Sequence, residues 1–167
     1  MKSNVEHATF TIERSYPATP ERVFAAFADP QKKRRWYADH SGRTADIFEM
    51  DFRVGGSDRM QCQLGADSPF PGVPLTSYGT YQDIEPNQRI VFAYYMTIGD
   101  RRISASLVTV EFIASGKGSS SKGTDLLFTE QGVFFEGSGG WAMRQQGWSK
   151  LMDGIAAEVM ETANAPA

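Results

Sequence analysis

Hydrophobic and polar positions alternate over the first part of the chain. In HATFTIERSY, His7 to Tyr16, the residues Ala8, Phe10 and Ile12 share one parity, which predicts a strand with one buried face. Thr19-Pro20 then predicts a helix N-cap followed by the first helical position, with a short helix running through Phe27. Asp29-Pro30 repeats that signal and starts a second short helix, QKKRRWYA. The basic run Lys32 to Arg35 reads most simply as a solvated face.

From Ala45 to Gln131 strand patterns follow one another between turns. Phe48, Met50, Phe52 and Val54 alternate before Gly55-Gly56, and Met60, Cys62 and Leu64 alternate next. After the proline- and glycine-rich loop GADSPFPGVPL come Tyr78 to Ile84, the turn Glu85-Pro86-Asn87, and Arg89 to Ile98. This last segment is apolar at both parities, so both faces should be at least partly covered. Ile103 to Ile113 and Thr124 to Gln131, joined by the flexible linker SGKGSSSKG, bring the prediction to seven strands.

The pattern then changes period. From Gly139 or Gly140 to about Thr162, Trp141, Trp148, Met152, Ile155 and Val159 fall on one helical stripe, with Leu151 on its edge. Gly140, Gly147 and Gly154 fall together on its flank. This predicts a helix lying close to the sheet along its glycines, with Gly147 and Gly154 nearest a strand backbone, and propped open along its tryptophans. One strand, two short helices, six antiparallel strands and a long C-terminal helix make an α+β pattern. The sheet must curl around the helix to bury the helix's apolar face, which is the helix-grip arrangement.

Composition narrows the function. The 167 residues, 41% hydrophobic and 22% charged, are expected to form a single domain over 1–167. A net charge of -3 excludes the basic excess of a nucleic-acid binder. One cysteine, no secretory signal and no apolar run of membrane-spanning length lead to the expectation of a cytoplasmic protein without membrane contact. The two histidines lie in separate segments, and RVGGSDR lacks the lysine and serine of a phosphate loop, so no metal or cofactor is expected.

The stretches TIERSYPATPERVFAAFADPQKKRRWY, FRVGG (Phe52 to Gly56), GTYQDIEPNQRIVFAY and QQGWSKLMDGIA resemble the START-like (SRPBCC) superfamily. Within it they are similar to the heat-shock-protein-90 ATPase activator homologue-like group, and the resemblance extends over about residues 8 to 160. It implies a helix-grip (START-like, Bet v-like) fold with a deep, largely apolar cavity between sheet and long helix, used by different members for lipids, aromatic polyketides or hormones. The eukaryotic co-chaperone of the group carries a further domain ahead of this one, for which no room is expected in 167 residues, so stimulation of a chaperone ATPase is not the expected role.

The expected cavity walls are Trp148, Met152 and Leu151 from the helix, with Met60, Tyr81, Phe92, Tyr94, Met96 and Phe128 from the sheet. Trp36 and Tyr37 either close the far end or pack as core. Val133, Phe134 and Phe135 lid the cavity, join a homodimer or pack as core. Arg144 falls within the tryptophan stripe, where it closes the mouth, pairs with Glu130, binds a ligand carboxylate or reaches into solvent. Glu130 and Glu111 are the two weak candidates for an acid or base; at strand ends each is expected to meet water. Three functions remain open. They are binding of a small apolar or aromatic molecule, a cyclase- or hydratase-like enzyme using a pocket carboxylate or tyrosine, and a chaperone-interacting stress-response protein without a ligand.

Overall fold

The computed structural model describes residues 1–116 and 123–161. Its seven strands are β1 (Glu6–Tyr16), β2 (Ile47–Met50), β3 (Ser57–Gln63), β4 (Pro74–Glu85), β5 (Arg89–Ile98), β6 (Arg101–Ser115) and β7 (Gly123–Phe134). They form one sheet in the order β1-β7-β6-β5-β4-β3-β2, antiparallel throughout. Every neighbour in sequence is a neighbour in space except β1, which closes onto β7. Bulges at Gln82 in β4 and at Ile103 in β6, opposite Met96 and Thr97 of β5, bend the sheet. It curls around α3 (Gly140–Glu161), giving the helix-grip architecture. Most of the linker SGKGSSSKG and Thr162, the expected end of the helix, lie outside the described residues.

Alternation decides which side chains enter the grip. Phe10 and Ile12 of β1, Met60 and Cys62 of β3, Val108, Val110 and Phe112 of β6, and Leu126 and Phe128 of β7 are all buried on the concave face. Trp148, Met152, Ile155 and Val159 meet them from α3. The outer face of β5 is half-covered: Tyr95 stacks on Tyr78 at 5.5 Å and lies under the Arg102 guanidinium at 3.9 Å.

Between β1 and β2 run α1 (Pro20–Ala28) and α2 (Pro30–Lys33), the latter continuing into a π-helical turn, Arg34–Ala38. Thr19 stands at the N-cap of α1 but its side chain makes no capping bond; its carbonyl accepts from the Arg22 and Val23 amides. Asp29 does cap α2, accepting from the Gln31 and Lys32 amides. The π turn brings Lys33, Trp36 and Tyr37 inward together, so the basic run is not a solvated face throughout.

The glycines of α3 behave differently from the expected close-packed line. Gly140, at φ +80°, starts the helix in a conformation few other residues adopt, and the Glu6 carboxylate of β1 accepts from the next amide, Trp141, at 3.2 Å. A side chain at Gly147 would meet nothing within 4 Å. Gly154 packs on Trp36 of the π turn, not on a strand. Trp141, placed in the apolar stripe by periodicity, is 39% exposed and covers Phe10 at 6.3 Å between ring centres.

Candidate functional site

Three strands and α3 bring a polar cluster to the middle of the concave face. The Tyr94 hydroxyl (β5) donates to Glu130 Oε1 (β7) at 2.8 Å. It accepts from Arg144 Nη1 at 2.8 Å and from Trp148 Nε1 at 3.1 Å, both on α3. Arg144 also reaches Glu130 Oε1 at 3.2 Å and donates through Nη2 to the Ser104 hydroxyl (β6) at 2.6 Å. The guanidinium lies over the rings of Phe134 and Tyr94, 5.3 and 5.5 Å from their centres. Burial first, and then the Glu130 charge, push the Tyr94 phenol well above its ordinary pKa, so it stays protonated.

Glu130 is fully buried, against the expectation that it meets water at a strand end, because its parity continues that of Leu126 and Phe128. Its Oε2 has no partner among the described residues, nor does the buried hydroxyl of Ser106. Glu111 shares parity with the exposed Leu107 and Ile113 and lies on the outer face of β6, away from this cluster. Arg144 is not reaching into solvent: its side chain is 10% exposed.

Above the cluster a cavity of about 570 Å³ opens between sheet and helix. Of the residues expected to line it, Trp148, Leu151, Arg144, Met60, Tyr94 and Met96 do so. Met152, Tyr81, Phe128, Trp36 and Phe134 are buried in the core around it, and Phe92 is partly buried beside it. Phe134 closes the end of β7 beneath Arg144, packed as core and not as a lid. Trp36 is held by its indole N–H on the Ala26 carbonyl at 2.7 Å. Tyr37 does reach the cavity, stacked against Trp148 with ring centres 5.9 Å apart.

Several walls were not expected from periodicity. Leu75, Ile98 and Ile103 come from strand ends, and Phe70 from the proline-rich loop, which folds over the opening. The composition of that loop was its only signal in the sequence. His40 and Arg43 come from the segment between the π turn and β2.

A second polar cluster flanks the cavity behind Tyr37. The Lys33 ammonium contacts Asp58 Oδ2 and lies 3.2 Å from the Tyr81 hydroxyl, which itself donates to Asp58 at 2.9 Å. The rings of Tyr37, Tyr81 and Phe92 surround it at 5.1 to 5.9 Å. Burial alone would lower the lysine pKa; the Asp58 carboxylate, helped by the two tyrosines, overrides it and raises the value. Lys33 is therefore a locked cation, not a free amine. Cys62 is buried, and that burial raises its thiol pKa, which leaves it unreactive.

No helix among the described residues is long and apolar enough to cross a membrane. A protein from Rhizobium loti of solved structure is 45% identical, over 93% of this chain and 99% of that one, with a TM-score of 0.80. A putative uncharacterized protein from Rhizobium leguminosarum is 37% identical over 94% and 97% of the two chains, with a TM-score of 0.83. A protein of unknown function from Staphylococcus aureus, 20% identical over 96% and 98%, shares the fold with a TM-score of 0.72. No curated protein matches the chain. The family model described as Activator of Hsp90 ATPase homolog 1-like protein matches residues 17–160. With most of its length inside that match, the chain belongs to the Activator of Hsp90 ATPase homolog 1-like family.

Proposed function

We propose that this protein binds a small, mainly apolar or aromatic molecule in the cavity between its sheet and its C-terminal helix. The observation that carries this is the cavity itself: about 570 Å³, within the range of small-molecule sites, walled by methionine, leucine, isoleucine and aromatic side chains. Few polar groups reach it, which suits orientation of a ligand within an otherwise apolar site. Met60, Met96 and Met143 among the walls would let it accommodate more than one shape.

Trp148 provides the test, because it is a cavity wall that fluoresces. Titration with 2-naphthol should give a saturable change in tryptophan emission at one molecule per chain, and Trp148→Phe should remove most of it. An emission change that is unsaturable, or identical in the variant, would overturn the reading.

A second reading, a cyclase- or hydratase-like enzyme, is supported by the Tyr94–Glu130 hydrogen bond, a carboxylate and a phenol held together beside an apolar pocket. It ranks second for a physical reason. Tyr94 already donates one hydrogen bond and accepts two within the cluster, leaving its oxygen little capacity for a substrate. The chaperone-interaction reading ranks third, since it does not use the open cavity.

A further inference from the structure

We propose that the ligand is an amphiphilic anion, an apolar body ending in a carboxylate, and that Arg43 is the residue that reads the carboxylate. This rests on the cavity-binding reading and names its ligand class. Among the described residues no aspartate or glutamate lines the cavity, whereas Arg43, Arg144 and Lys150 do. Arg144 is already matched by Glu130 behind the wall, so the cluster around Tyr94 presents no net charge to a ligand. Arg43 and Lys150 make no ion pair among the described residues. The positive excess of the cavity is therefore theirs.

Arg43 is the more committed of the two. Lys150 is exposed at the rim, but the Arg43 Nε–H is buried and has no partner among the described residues. A desolvated, unpaired donor on a charged group is costly, and an arriving anion would relieve that cost. The tight turn Ser41-Gly42, with φ of 53° and 75°, folds Arg43 back so that its amide donates to the His40 carbonyl at 3.0 Å. Its Nη2 lies 2.6 Å from His40 Nε2. In that contact the imidazole accepts, so it is neutral and carries its proton on Nδ1, 3.2 Å from the Ser41 hydroxyl. His40 thus orients the guanidinium without neutralising it. Burial, and then Arg43, lower the His40 pKa in keeping with that neutral form. A guanidinium held in this way through Nη2 keeps Nη1 and the Nε–H as donors for an arriving carboxylate.

The test compares matched acids and neutral analogues: decanoate against 1-decanol, and 2-naphthoate against 2-naphthol, by calorimetry on the full chain. Wild type should favour each acid, and added salt should weaken only the acids. Arg43→Met should weaken acid binding by about tenfold or more, the loss expected for a charge-assisted hydrogen-bond pair, and leave the neutral compounds unchanged. Arg43→Lys should recover part of the loss. Arg43 has no buried charged partner, so the variants should fold, and circular dichroism checks this. Equal affinity for acid and neutral analogue in wild type, or equal losses for both in Arg43→Met, overturns the anion assignment while the cavity reading stands. No binding of any of the four compounds overturns both.

Discussion

Arg144 and Glu130 face each other where α3 crosses β7, one nearly and the other completely removed from water. A buried ion pair adds little net stability, but removing one member strands the other's charge. Glu130→Gln and Arg144→Met should therefore each cost about 3–5 kcal/mol in urea unfolding. The double variant should cost clearly less than the two losses added together. A loss within about 0.5 kcal/mol for Arg144→Met would instead mark a surface charge. Both residues were legible as candidates, from strand parity for Glu130 and from helical angle for Arg144. Their partner choice was less legible: of the alternatives open for Arg144, pairing with Glu130 is the one that the structure shows. Lys33 was illegible for a different reason. A run of four basic residues on a short helix looks solvated, and the π turn that follows shifts the angular bookkeeping by which faces are assigned. Its burial is decided by Asp58, in a strand 25 residues further on.

At the scale of elements, the seven-residue glycine beat of α3 has no single cause. Gly140 is required by a positive φ, Gly154 faces Trp36 of the π turn at a distance that admits no large side chain, and Gly147 faces open space. Gly147→Ala should accordingly stabilise the protein by about 0.5–1 kcal/mol, the helix-propensity difference, because the added methyl meets open space. At Gly154 an alanine Cβ would stand 3.4 Å from Trp36 Cβ, an ordinary contact, so only larger side chains should overpack. Gly154→Leu should cost about 1–3 kcal/mol. Chemical denaturation of the three variants checks the ordering, and a destabilised Gly147→Ala would restore the close-approach idea. The strands were legible because a two-residue period survives any partner, and the register of β5 places Phe92, Tyr94 and Met96 inward as the pattern suggested. What periodicity could not place were the cavity walls at strand ends and in the proline-rich loop. There Phe70, Leu75 and Ile103 are positioned by the path of the chain and not by alternation.

At the scale of the whole molecule, four tyrosine hydroxyls fasten the helices and the sheet to one another from inside. Tyr16 of β1 donates to the Met152 carbonyl of α3 at 2.9 Å, and Tyr37 of the π turn to Ser77 of β4 at 3.1 Å. Tyr81 joins Asp58, and Tyr94 joins Glu130. Burial is the largest cause that raises all four phenols above their ordinary value of 10.0, and Lys33, held by Asp58, is raised above 10.5. The signs agree. Each group keeps its proton in the folded chain over a pH range in which the unfolded chain releases it, so unfolding is coupled to proton loss. Their contribution is fully present at neutral pH and is lost as pH climbs past about 10. The melting temperature should vary little through these groups between neutrality and pH ~9 and then fall steeply above pH ~10. Tyrosinate absorbance from these four residues should appear together with the loss of circular dichroism, not ahead of it. Four phenols ionising in a chain that remains folded would show that water reaches them, and the tightly closed core around the cavity would have to be given up.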